Sequence, residues 1–280
     1  MVKTATAPPT RFGYAGVVFE MSGPATGWDL AKEHLDFADR TPDEGVLARV
    51  ECAFDLVKED GADLDRTVRW RWTGDEAEVG TARVDATVRR RSRGLYDARG
   101  EVAGGSHVSS LVTAVASAIA SREGALVLHA AGVQVGGRAV LFVGPSGAGK
   151  TTSANHCPGT RWMARDRAAV VPVGGSWFAW GMAGGDPIDL PREPHRSLPL
   201  GAVLRVHRTD GPSRIEALEG ARAVTVLRES VQSGGVGIEE ERRQLDAILR
   251  AAGEARVGIV HARLGEPLTE LVDAFVRGAQ

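Results

Sequence analysis

Residues 144 to 152 read Gly144-Pro145-Ser146-Gly147-Ala148-Gly149-Lys150-Thr151-Thr152, and an apolar run, Ala139 to Val143, stands directly before them. This is the pattern G-x-x-x-x-G-K-[ST], a Walker A or P-loop sequence, in the strand context that the pattern requires. The chemistry it predicts is phosphate binding. Glycines let the backbone turn until successive N–H groups face one concavity, and the first turn of the following helix adds its positive end. In such a loop Lys150 reaches the β- and γ-phosphates, and the Thr151 hydroxyl takes Mg²⁺. The loop predicts a nucleotide, not a reaction. Transfer also needs a second carboxylate near the metal and a group that orients the nucleophile. Asp166, 16 residues after Lys150 and at the head of the run Ala168 to Pro172, is the candidate. It would hold Mg²⁺, directly or through water, or accept a proton; the plainer alternative is a surface carboxylate paired with Arg165 or Arg167.

The elements that must position these residues follow from periodicity. Up to about residue 100 the pattern has period two: Val46 to Leu56, Val68 to Trp72 and Ala82 to Val88 alternate apolar with polar residues. Glycines 61, 74, 80 and 94 fall in the polar gaps. This predicts strands with one wet face, in a small and mostly antiparallel β module, with a short helix around Trp28 to Ala38. Then Val108, Leu111, Val112, Val115 and Ile119 recur at helical spacing, with Ser106 as N-cap and Gly124 following the last turn. Two short apolar runs, Ala125 to His129 and Ala139 to Val143, flank a Gly136-Gly137 turn and predict strands of a buried sheet. Further on, strands are expected at 202–207, 214–217 and 257–262, and helices at 221–231, 238–251 and 268–276. In the second of these helices Leu245, Ile248 and Leu249 share one face. The expected division is a β-rich module over 1–105 and an α/β domain over 106–280, with Gly100 to Gly105 as the boundary.

The stretch Leu128-His129-Ala-Ala-Gly-Val133, the Gly-Gly turn, Ala139 to Val143 and the loop resemble the catalytic domain of HPr kinase/phosphorylase. That family lies within the phosphoenolpyruvate-carboxykinase-like P-loop superfamily. A histidine precedes its loop by the spacing that separates His129 from Gly144, and an Asp-Asp pair follows the loop where Arg165-Asp166-Arg167 stands here. The resemblance covers about residues 106 to 175. It implies a P-loop kinase core and an ATP- and Mg²⁺-dependent transfer of the γ-phosphoryl group to a hydroxyl. The acceptor would be a serine of a peptide or protein, or a small-molecule alcohol; a homo-oligomer would fit the family. Lys150, Thr151 and Asp166 would hold phosphate and metal, and His129 would sit beside the reacting phosphate. As a lone histidine among apolar neighbours, His129 also reads as a satisfied core residue. Arg165 stands where the family has its first Asp and cannot accept a proton at neutral pH. Either Asp166 serves both roles with Arg165 stabilising phosphate oxygens, or the chain is a nucleotide-binding regulatory or scaffold protein with degenerate catalysis.

Composition narrows the classes. In 280 residues, 43% are apolar and 25% charged, and 34 Lys and Arg stand against 36 Asp and Glu, so no basic surplus suggests nucleic-acid binding. Two distant cysteines, Cys52 and Cys157, predict neither a disulfide framework nor a Cys-rich zinc site. Val102 to Ser121 carries too many Ser, Thr, His and Gly to span a membrane, and Met1 to Thr10 lacks the apolar run of a secretory signal, so a cytoplasmic protein is expected. Arg89-Arg90-Arg91 with Arg93 reads as a solvated strand end, or as a site for an acidic peptide. Trp162, Trp177 and Trp180 read as core or as the lining of a pocket. Ser233-Gly234-Gly235 resembles part of the ABC signature without the acidic strand that should follow. Glu239 to Glu241 reads as an exposed first helical turn.

Overall fold

A computed structural model of the chain describes residues 10–23, 45–57, 68–104, 107–158, 160–164, 166–182, 197–232, 234–235 and 237–278. The helix expected at Trp28 to Ala38, the Ser106 cap, Arg165 and Ser233 lie outside these residues. Mixed α/β architecture with two sheets emerges. The first sheet comprises β1 (Thr10–Tyr14), β2 (Val17–Ser22), β3 (Ala48–Val57), β4 (Arg69–Thr73), β5 (Glu76–Thr81), β6 (Val84–Ser92) and β7 (Leu95–Ala103), in the order β1-β2-β3-β7-β6-β5-β4. Its hairpins are antiparallel, but β3 runs parallel to both β2 and β7. In β3 buried and exposed residues alternate from Ala48 to Asp55, the expected division between a core face and a wet face.

The core face is covered by α1 (Val108–Arg122), which ends at Gly124 as its spacing predicts. Helix α1 is not a one-sided amphipathic helix. Ala114, Ala116, Ala118 and Ala120 are as fully buried as Leu111 and Ile119. The reason is its place: one cluster joins α1 to the first sheet and to Val127, Ala169, Val171 and Trp180 of the second. Spaced by two, these alanines fall on both flanks of the Leu111–Ile119 stripe, and their small side chains let the helix lie between two layers.

The second sheet contains β8 (Leu126–Val135), β9 (Arg138–Val143), β10 (Arg161–Ala164), β11 (Arg167–Val173), β12 (Ser176–Met182), β13 (Leu198–Arg208), β14 (Arg214–Leu218) and β15 (Val257–Ala262). Strand β8 pairs with β11 through its first half, with β10 near its end and with β9 across the Gly136-Gly137 turn. Because β12 reaches β13 and β13 runs parallel to β9, the pairings β8-β11-β12-β13-β9 return to β8 in a ring. On one face pack α3 (Gly220–Ser230) and α4 (Ile238–Glu254); on the other lie α2 (Lys150–Asn155) and α5 (Thr269–Arg277). Of the three residues expected to share a face of α4, only Ile248 is buried. Ala247, Ile248 and Ala251 are buried, whereas Leu245 and Leu249 are 46% and 51% exposed. No helix among the described residues is long and apolar enough to cross a membrane.

Candidate functional site

The glycine-rich loop leaves the end of β9 and enters α2. Gly144, Gly147 and Gly149 have φ of +142°, +76° and +97°, a region that side chains with a Cβ rarely adopt, so the loop conformation requires glycine at all three. Pro145 and Ser146 are exposed, Ala148 closes a turn by donating its N–H to Pro145 O at 3.1 Å, and α2 is only six residues long. The Lys150 ammonium folds back over the loop and donates to the carbonyls of Gly144 and Pro145, both at 3.0 Å. Burial lowers the Lys150 pKa, and the charge of Asp166 acts in the opposite direction. Thr151 and Thr152 are exposed beside it. From the neighbouring strand Arg208 donates to Gly147 O at 3.4 Å, a contact that no local spacing signals.

His129 and Asp166 meet across the β8–β11 pairing. The imidazole Nδ1 is 3.2 Å from Asp166 Oδ1, and the Asp166 carbonyl accepts the N–H of Ala130 at 3.0 Å, which pins the carboxylate to the strand. Each side chain is about one-third exposed, at 30% and 32%. The second Asp166 oxygen lies 3.5 Å from Nε of Arg167, so the alternative of an Arg167 pair is realised together with the histidine pair, not instead of it. His129 is therefore no satisfied apolar-core histidine. Its remaining partner is Gln232, with Nε2 at 3.3 Å from Nδ1.

Oxygen donors present suit a hard divalent cation held by one carboxylate, one hydroxyl, water and phosphate, the mode usual for Mg²⁺. Thr151 and Asp166 are the residues that would hold it. No cluster of three or more His, Cys, Asp or Glu that could cage a metal occurs among the described residues.

Other sequence candidates are structural. Trp177 and Trp180 are buried, their indole N–H groups donating to Glu254 at 2.7 Å and to Gly45 O at 3.0 Å; Trp162 packs half-buried against the core beside α5. Arg89, Arg90 and Arg91 each have carboxylate partners, Glu76, Glu123 with Asp75, and Asp97 with Glu51.

Among solved structures, the HPr(Ser) kinase/phosphatase from Coxiella burnetii is similar over 54% of this chain and 88% of its own, at 11% identity and a TM-score of 0.33. No curated protein matches the chain. A family model described as SynChlorMet cassette protein ScmC matches residues 106–252, the stretch that holds α1, the glycine loop, the His129–Asp166 pair and Gln232. That match spans just over half of the sequence, and the chain belongs to the ScmC family.

Proposed function

We propose that the chain is an ATP- and Mg²⁺-dependent phosphotransferase that places the γ-phosphoryl group on a hydroxyl of a peptide, protein or small molecule. The observation that carries this reading is the backbone pairing that brings the glycine loop to the His129–Asp166 pair. Ala130, next to His129 and bonded to the Asp166 carbonyl, pairs with Val143, the residue from which the loop departs. Loop amides and Lys150 bind the polyphosphate, and Mg²⁺, when bound, neutralises charge on its oxygens. The acceptor oxygen bonds to the γ-phosphorus while the bond from phosphorus to the β–γ bridging oxygen breaks. ADP leaves, and the hydroxyl proton passes to the His129–Asp166 pair.

Titration calorimetry of the full chain with ATP, with and without Mg²⁺, tests the reading. Binding that needs Mg²⁺ supports it, and Lys150→Ala is expected to weaken it by about tenfold to a hundredfold, the worth of hydrogen bonds from a charged donor. Metal-independent binding favours the second reading, a nucleotide-binding regulatory protein with degenerate catalysis, for which Arg165 in place of a carboxylate is the specific reason. No binding by the wild type overturns both.

A further inference from the structure

We propose that Gln232 is a positioning residue that governs which nitrogen of His129 carries the proton, and that a strap clamped to the first sheet holds it there. The inference rests on the reading of His129 and Asp166 as the proton-handling pair.

The strap comprises the described residues 231–232 and 234–235, between α3 and α4. Its first part runs along the free edge of β8: Val231 bridges Leu128, and the Gln232 N–H donates to Val127 O at 2.8 Å. Backbone pairing thus fixes Gln232 next to His129. The other end of the strap reaches the edge of the first sheet, where Trp70 N–H donates to Gly234 O at 2.9 Å and Trp70 bridges Gly235. A Cβ on Gly234 would lie 2.2 Å from Val68 O and 2.4 Å from the Trp70 ring; one on Gly235 would lie 2.9 Å from Glu240 Cβ. Only glycine admits so close an approach, which explains Gly234-Gly235 as packing and not as a nucleotide signature.

At the strap's other neighbour, one nitrogen has two claimants. His129 Nδ1 lies 3.3 Å from Gln232 Nε2 and 3.2 Å from Asp166 Oδ1. In a neutral imidazole that nitrogen has either a lone pair or a proton. With a lone pair it accepts from the Gln232 amide, and the proton sits on Nε2. With a proton it donates to Asp166, and Nε2 is left basic. Gln232 and Asp166 therefore stabilise opposite tautomers. The second tautomer is the one whose Nε2 lone pair is free to accept a hydrogen bond from an acceptor hydroxyl. Gln232 restrains it, and the clamp on Trp70 keeps that restraint in register.

The test is ring-nitrogen NMR of the full chain at alkaline pH, where imidazoles are neutral, with His129 assigned by loss of its signals in His129→Gln. Gln232→Leu keeps the side-chain bulk and removes the amide. It is expected to shift the tautomer ratio toward Nδ1–H by about threefold to tenfold, the net worth of one hydrogen bond. Asp166→Asn is expected to shift it the other way, a pair of opposite responses that mere loosening of the fold would not produce. Gly234→Val, which forces the strap away from Val68 and Trp70, should act like Gln232→Leu without altering the site. An unchanged ratio in Gln232→Leu overturns the inference, whatever the nucleotide data show. If the ratio shifts but wild-type protein fails to bind MgATP, the nucleotide reading falls and the positioning by Gln232 stands.

Discussion

Glu240 shows how much a single side chain can carry. It is 5% exposed, accepts the backbone N–H of Trp72 at 3.2 Å and lies 3.5 Å from Nη1 of Arg243. A buried carboxylate is costly unless its oxygens are bonded, and here they terminate the open edge of β4. Glu240→Ala is expected to cost about 2–3 kcal/mol, because it strands a buried N–H and leaves the Arg243 charge unpaired. Glu240→Gln, which keeps an acceptor, should cost less than half of that. Urea unfolding midpoints of the two variants decide the point: equal losses would mean that the charge, not the hydrogen bond, is what the edge needs. From local spacing Glu239, Glu240 and Glu241 share one reading, as exposed acids near a helix start. The partner that separates Glu240 from the others is 168 residues away, and no local spacing reports it. Lys150 is the opposite case. Its role in the glycine loop follows from the six residues before it, so a local pattern suffices to find it. Asp166 was legible as a carboxylate at a strand head, whereas Gln232 carries no signal of its own and becomes visible only where backbone pairing brings it to His129.

At the scale of elements, the sequence was most readable where a strand has one wet face or a helix has one wet side. The alternation of β3 and the helical spacing of α5 are of this kind. It was least readable where alanine does the packing. Alanine fits either side of an apolar boundary, so Ala114, Ala116, Ala118 and Ala120 add nothing to a stripe drawn through Val108, Leu111, Val112, Val115 and Ile119. In the fold they are what lets α1 approach the second layer. Overpacking there should therefore be more harmful than its exposed-looking position in the stripe suggests. Ala116→Leu is expected to lower stability by about 1–3 kcal/mol, comparable to the about 2–5 kcal/mol of Leu111→Ala on the recognised face. Denaturant melts of both variants check this, and a neutral Ala116→Leu would show that the alanine flanks of α1 are loosely packed. Alanine carries the same weight in α4, where Leu245 and Leu249 share a face with Ile248 but stay exposed, while Ala247 and Ala251 beside Ile248 are buried.

For the whole molecule, each thiol is enclosed in its own layer, Cys52 between the first sheet and α1 and Cys157 between the second sheet, α2 and α5. Burial pushes the Cys52 and Cys157 pKa values from 9.0 up to about 12, and pushes the Tyr96 phenol, bonded to Glu123, upward as well. The sign of the effect on stability is fixed by proton counts. Between the two thiol pKa values the unfolded chain has lost its thiol protons and the native chain has kept them. Fewer protons are bound in the unfolded state, so the free energy of unfolding falls as pH rises. The thiol contribution is fully present below pH 9.0 and is lost as pH climbs toward about 12. Lys150 and Arg122, whose pKa values burial lowers, work against this trend. Thermal melts across that interval should show a steady fall in Tm, and the double variant Cys52→Ala with Cys157→Ala should flatten it without restoring stability at neutral pH. Thiol labelling adds an independent reading of the same enclosure. Cys52 lies in the first sheet and Cys157 just beyond α2, at the foot of the glycine loop, so each reports on its own layer. If both become reactive together as denaturant is added, the ring-closed second sheet and the first sheet open as one unit. If Cys52 reacts at lower denaturant, the first sheet detaches while the loop and its Lys150 remain in place, and the strap at Trp70 is then a weak link and not a clamp.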